Sequence, residues 1–175
     1  VQARVSIWLD PWNDPNGAGY QVIQAAYALA WGGVAGTGPG LGIAGRIPAD
    51  ESDFIFAVIG EELGLLGATA VLCAFLLLAG SGLRLARAAG DGFSSLLAVG
   101  LTALIAFQAF IIIGGIVRLI PLTGLTTPFL SQGGSSLVSN WIAIGLLMRI
   151  SDTARRPDVD TAAALEDAPT QVVRL

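Results

Sequence analysis

Two stretches of this sequence, residues 63–83 and 92–117, contain no charged side chain. About 20 apolar residues of helix cross a hydrocarbon core, and both runs reach that length. Lipid offers no water to backbone N–H and C=O groups, so a crossing segment must satisfy its own hydrogen bonds. Composition points the same way. The chain is 54% hydrophobic and 13% charged, with a mean hydropathy of +0.72, whereas a soluble domain carries about a quarter charged residues. A length of 175 residues would suit one globular domain, but the apolar runs override that prior. The sequence predicts an all-α integral membrane protein, or a piece of one.

The expected organisation follows from where charge interrupts the apolar pattern. An extracytoplasmic loop rich in Gly, Pro and aromatic residues spans 1–52, and a first transmembrane helix spans 53–83. A basic cytoplasmic connector at 84–92 leads to a second transmembrane helix at 93–117. A re-entrant-like extracytoplasmic loop at 118–134 precedes a third transmembrane helix at 135–150. The acidic tail, 151–175, has the composition of a disordered cytoplasmic segment. Arg84 and Arg87 flank the connector, and Arg149, Arg155 and Arg156 flank the end of the third span. The positive-inside rule places both clusters in the cytoplasm, and crossing parity agrees. Residues 1–52 and 118–134 then share the outer face, where Asp10, Asp14, Asp53, Glu61, Glu62 and Arg118 gather. The uncharged stretch 19–36, with Tyr20, Tyr27 and Trp31, suits an amphipathic helix at the interface. Irregular apolar backbone near a membrane must be buried in protein or line a cavity, so the two outer segments are expected to wall one.

Several functions are disfavoured at once. The chain has no Lys and no His, and its formal charge is −4. No basic stripe exists for nucleic acid, and the commonest metal ligand and general base is missing. Cys73 is the sole cysteine and falls mid-span, where packing is its expected role. The chain starts outside a span, without a basic-then-apolar targeting element, and so reads as a fragment whose earlier spans are missing.

Asp53 is the leading candidate for chemistry. It stands where the chain turns apolar, preceded by Ser52. It could be a first-turn acid complementing a helix dipole, or a carboxylate at the mouth of an intramembrane cavity, where ionisable groups are costly and usually functional. In the second role it would act as a general base. Glu61 and Glu62 are adjacent and diverge on a helix, so at most one faces such a cavity. Glu61 follows Asp53 by two turns, about 12 Å along the axis, too far for a direct dyad. For both glutamates, pairing with Arg118 or Arg46 is the structural reading. "GTGPGLG" (36–42) lacks the lysine and the preceding strand of a nucleotide loop and reads as a flexible turn, one whose backbone N–H groups could approach an anion. "TTPFLSQGGSS" (126–136) could cap the third span or line a site for a bulky polar ligand, and Ser139 and Asn140 read as interhelical contacts.

Five ordered blocks carry a resemblance. "RVSIWLDPWNDPNGAGYQVIQA" (4–25), "GTGPGLG" (36–42), "IPADESDFIFAVIGEELGLLG" (47–67), "IPLTGLTTPFLSQGGSSL" (120–137) and "LLMRIS" (146–151) are together similar to the SEDS family of rod-shape, cell-division and sporulation proteins. The resemblance covers residues 4 to about 156 and leans toward a RodA-like member from an actinobacterium. It implies a bundle of about ten spans, of which this chain would hold the last three and the large, partly helical outer loop before them. It implies a peptidoglycan glycosyltransferase that polymerises lipid II at the outer face of the bacterial cytoplasmic membrane beside a class B penicillin-binding protein, in contact with membrane lipids. The family's essential acid falls on Asp53. Transfer from an α-linked diphosphate to a β-linked product needs one inverting displacement, a base for the acceptor hydroxyl and charge to meet the leaving diphosphate.

Arg118 is the candidate for that diphosphate, with Arg46, Ser131, Gln132 and Ser135 as further substrate-binding candidates. Glu61, Glu62 and Asp14 are expected to be supporting residues, and a divalent cation (Mg or Mn) is compatible with the chemistry. Two departures stand out: Gln132 replaces the family's usual tyrosine in "SQGGSS", and Ile112 replaces a common asparagine in "FIIIG". Alone, the fragment is expected to be inactive. Re-entrant loops and intramembrane carboxylates also mark carriers, so a lipid-precursor flippase and a non-enzymatic scaffold are the alternatives.

Overall fold

The computed structural model describes residues 2–42 and 53–155. Among these it is all-helical: α1 (Gln2–Leu9), α2 (Tyr20–Gly32), α3 (Ile55–Glu62), α4 (Gly64–Ala88), α5 (Gly92–Ile116) and α6 (Gly134–Arg155), with a 3₁₀ turn at Pro11–Asn13. The expected positions at 43–52, Arg46 among them, and at 156–175 lie outside the described residues.

α4 and α5 form a helical hairpin. Asp91 caps α5 by accepting from the Ser94 N–H at 2.8 Å, and the Ser95 hydroxyl donates back to the Ala86 carbonyl at 2.7 Å. α6 lies against both helices. Its Leu147 and Ile150 pack with Ala86 and Ala98 at the connector end, so α6 runs in the same direction as α4. At the other end, α2 and α3 pack across the hairpin. Ala25 and Ala28 of α2, Phe56 and Ala57 of α3, Ala68 of α4 and Ile112, Ile113 and Ile116 of α5 share one core. The buried positions of α2 recur every three or four residues, which turns one face of that helix onto α3 and leaves Tyr27 and Trp31 exposed. Burying a side chain such as Phe56 contributes about 2–3 kcal/mol.

Only α4 and α5, among the described residues, are both long and apolar enough to cross a membrane. α6 is long enough, but Ser135, Ser136, Ser139 and Asn140 near its start and Arg149, Asp152 and Arg155 near its end lower its apolarity. Leu65, Leu66, Leu76 and Leu77 on α4 and Phe107 and Phe110 on α5 are exposed. An apolar surface this extensive marks contact with lipid or with further protein.

Three boundaries differ from the sequence expectation. The segment 53–83 is two helices, because α3 stops at Glu62 and Gly64 takes φ +66°. The loop at 33–38 covers the break: Leu65 and Leu66 N–H groups donate to the Gly33 and Val34 carbonyls, and Thr37 and Gly38 N–H groups donate to the Glu61 and Glu62 carbonyls. The connector shortens to 89–91, since Arg84 and Arg87 continue α4 and place positive charge at its C-terminal end. α6 continues past 150, carried by the Arg149–Asp152 pair at 3.2 Å and the Thr153 hydroxyl bonded to the Arg149 carbonyl.

A Cβ on Gly64 would lie 2.4 Å from the Gly36 nitrogen and 2.6 Å from the Val34 oxygen, whereas one on Gly80 would meet nothing. Gly64→Ala is therefore expected to lower stability by about 2–4 kcal/mol, from strain and overpacking. Gly80→Ala, mid-helix, is expected to raise it by up to about 1 kcal/mol. Thermal unfolding of the two variants in detergent should shift in opposite directions. The backbone bond from Ser94 also holds the Asp91 carboxyl below its ordinary value. A depressed folded-state pKa adds stability above the unfolded pKa that is lost as pH falls through the folded one. Protection of the Ser94 amide from hydrogen exchange should be complete at neutral pH and fade only below the usual carboxylate range.

Candidate functional site

A cavity of about 320 Å³ opens where α1, the start of α2, the start of α3 and the end of α5 meet. Arg4, Ile7 and Trp8 come from α1, and Ala18, Gln21 and Val22 from the approach to α2 and its first turn. Asp53 and Phe54 precede α3, Gly115 and Arg118 end α5, and Leu122 and Gly124 follow in the loop. Asp53 and Arg118, far apart in sequence, thus line one space.

Asp53 is half-buried, and its neighbour Phe54 is anchored in the core. The N-terminal boundary residue of α3 is Phe54, which makes no side-chain cap. The carboxylate therefore does not serve as the helix cap that composition alone would allow. It makes no ion pair among the described residues, where the single ion pair is Arg149–Asp152.

Arg118 owes its position to the way α5 ends. The Arg118 N–H donates to the Gly115 carbonyl at 3.1 Å and the Leu119 N–H to the Gly114 carbonyl at 2.8 Å, the paired bonds of a Schellman cap. The residue in the left-handed position of that cap is usually glycine, yet here it is Arg118 with φ +62°. Trp8 holds it there. The Trp8 indole N–H donates to the Arg118 carbonyl at 2.9 Å, and Arg118 Nη2 donates to the Trp8 carbonyl at 3.1 Å. Arg118 Nε is buried without a hydrogen-bond partner. An orphaned charged donor in a cavity wall costs free energy unless a ligand satisfies it.

Arg4 donates to the Thr123 carbonyl, which ties α1 to the loop a second time. Gly124, at φ +71°, passes between the charges: a Cβ there would be 3.6 Å from Arg4 Nη2 and 3.7 Å from Asp53 Oδ2. The loop keeps its backbone bonded inside the protein, with Gln108 Nε2 donating to the Thr126 carbonyl at 2.9 Å and the Thr127 N–H donating to Ser131 Oγ at 2.7 Å.

The other expected site residues lie elsewhere. Glu61 is 2% exposed and lies beside the 36–42 loop, where a Cβ on Gly42 would be 3.1 Å from its carboxyl carbon. The Glu62 carbonyl accepts from Gly38. Neither glutamate pairs with Arg118 among the described residues. The glycine run thus braces the α3–α4 break. Ser131 is buried within its own turn, Gln132 and Ser135 are exposed, and none of the three lines the cavity. Asp14 Oδ2 accepts from the Ala18 N–H at 2.9 Å and so shapes the turn that delivers Ala18 and Gln21 to the cavity wall. Arg4, Trp8 and Gln21 were not singled out by sequence reasoning. The i, i+4 spacing of Arg4 and Trp8 was the available signal, obscured by reading 1–52 as loop.

Residues 1–156 match the model of the FtsW/RodA/SpoVE family, described as cell cycle proteins. The chain is 53% identical over 157 residues to the peptidoglycan glycosyltransferase RodA of Mycobacterium tuberculosis, covering 90% of this chain and 34% of that protein. It is 44% identical to stage V sporulation protein E of Bacillus subtilis, covering 87% and 42%. A chain of a solved peptidoglycan synthase complex coordinating polymerization and crosslinking superposes with a TM-score of 0.73 at 30% identity, covering 88% of this chain and 42% of that one. The chain spans about a third of the length of the mycobacterial relative. A match over nearly all of the described residues, by sequence and by fold, places this chain in the FtsW/RodA/SpoVE family.

Proposed function

We propose that this chain carries the glycosyl-transfer site of a peptidoglycan glycosyltransferase that polymerises lipid II, and that Asp53 is its general base. The observation that carries the reading is the convergence of one carboxylate and two guanidinium groups, Asp53, Arg118 and Arg4, on one cavity. The acceptor sugar's 4-hydroxyl attacks C1 of the donor. The new C1–O bond forms from the opposite face as the C1–O bond to diphosphate breaks, inverting the anomeric centre. The hydroxyl proton passes to Asp53. The leaving diphosphate gathers negative charge, which the buried Nε of Arg118 and the Arg4 guanidinium are suited to meet. A divalent cation fits this donor set poorly: among the described residues the cavity offers one carboxylate with two cations beside it, and no step is assigned to a metal.

In the same proposal α4, α5 and α6 span the bacterial cytoplasmic membrane, with the cavity on the extracytoplasmic side and 89–91 in the cytoplasm. The whole protein adds further spans and works beside a class B penicillin-binding protein that crosslinks the glycan. A cysteine introduced at Asp14 should react with an impermeant reagent added to intact cells, and one at Ala88 only after permeabilisation.

The decisive experiment uses the full-length protein with its partner and purified lipid II. Asp53→Asn should cut glycan polymer by about 10²-fold or more, the usual loss with a general base. Full polymer yield from that variant would remove the base assignment. Arg118→Gly suits the left-handed cap and should unfold no earlier than wild type, yet polymerise poorly. Poor yield from Arg118→Gly beside near-normal yield from Trp8→Phe, which also loosens α1 but keeps the guanidinium, separates a charge role from α1 docking, and unchanged yield from Arg118→Gly sinks the diphosphate assignment.

A further inference from the structure

At the end of the bundle remote from Asp53, a cleft of about 490 Å³ separates the C-terminal halves of α4 and α6. Its lining is apolar apart from two serines and two arginines. Leu78 lies toward the bundle's middle, Ile144 and Leu147 belong to the apolar cluster with Ala86 at the connector end, and Arg84 and Arg155 are the charged residues of the lining. Leu78 precedes Arg84 by six residues, about 9 Å of helix, and Ile144 precedes Arg155 by eleven, about 16 Å. The Arg84 guanidinium spends one N–H on the Ser81 hydroxyl at 3.0 Å. Among the described residues neither Arg84 nor Arg155 pairs with a carboxylate, since the local acids are committed: Asp152 pairs with Arg149 and Asp91 caps α5. The mechanism proposed above uses none of these groups.

We propose that this cleft binds one anionic phospholipid, its phosphodiester between Arg84 and Arg155 and an acyl chain along Leu78, Ile144 and Leu147. A two-part lining of this kind matches an amphiphile better than a soluble anion, which would leave the apolar floor wet, or an apolar helix, which would leave two arginines unpaired at a buried contact. Basic pockets between spanning helices on the cytoplasmic side are where acidic headgroups reside. The inference rests on the membrane-spanning reading of α4 and α6, not on the reaction at Asp53.

The test is lipid retention by the full-length protein from vesicles of phosphatidylcholine containing phosphatidylglycerol, read by native mass spectrometry. Wild type should retain phosphatidylglycerol over phosphatidylcholine by at least about tenfold, a preference of about 1.4 kcal/mol. The Arg84→Gln/Arg155→Gln pair should lose that preference, and the Arg84→Lys/Arg155→Lys pair should keep most of it. Asp53→Asn should retain lipid as wild type does, so failure of the catalytic reading leaves this result standing. Equal retention of the two lipids by wild type, an undiminished preference in the glutamine pair, or displacement by inorganic phosphate alone would each overturn the proposal. The wild-type comparison needs no variant to fold.

Discussion

Every backbone amide that this chain withdraws from water must find its partner inside the protein, and the fold is organised around the places where a helix cannot provide one. Within α4 and α5 the requirement is met automatically. It becomes a problem at Leu63–Gly64, at the end of α5 and along 118–133. At the first, the 33–38 loop supplies carbonyls to Leu65 and Leu66 and amides to Glu61 and Glu62. At the second, a Schellman cap closes α5. At the third, Gln108 and Arg4 reach from neighbouring helices to loop carbonyls. These repairs draw α1, α2 and the loop onto one end of the hairpin, and the cavity is the space they enclose.

This separates three acids that lie close in sequence. Asp53 precedes α3 and faces the cavity, with its backbone fixed by Phe54 in the core. Glu61 and Glu62 end α3, where their carbonyls join it to the glycine loop. α3 begins after Asp53 and ends with the two glutamates, about two turns of helix away, so a change at the brace need not disturb the carboxylate directly.

The all-helical architecture was legible because charge-free runs of this length have one solution in lipid. The position of Asp53 at a cavity wall was legible from its place at the edge of such a run. The break at Gly64 was not, since a glycine at an apolar helix start looks the same whether its φ is negative or positive. α1 was also missed: eight residues with Arg4 exposed and no strong apolar face read as loop. Its helix is held by long-range bonds to 118 and 123, which no local pattern encodes. Ser131, Gln132 and Ser135 drew notice as a polar cluster before a span, yet the turn consumes Ser131 and leaves the others outside the cavity.

An arginine in a glycine position shows how the site and its cover depend on each other. A non-glycine residue in the left-handed region costs about 1–3 kcal/mol. The two bonds between Trp8 and Arg118 return about 0.5–3 kcal/mol each, the charged one being the stronger. The strain at Arg118 is therefore offset only while α1 is docked, and α1 in turn is held to the loop by those bonds and the one from Arg4 to Thr123. Docking of α1 and the conformation of Arg118 are one equilibrium. Glycine would close α5 at lower cost, but it would bring no guanidinium to the cavity and would not accept strain that α1 must relieve. The arginine ties the cation facing Asp53 to the helix that covers it.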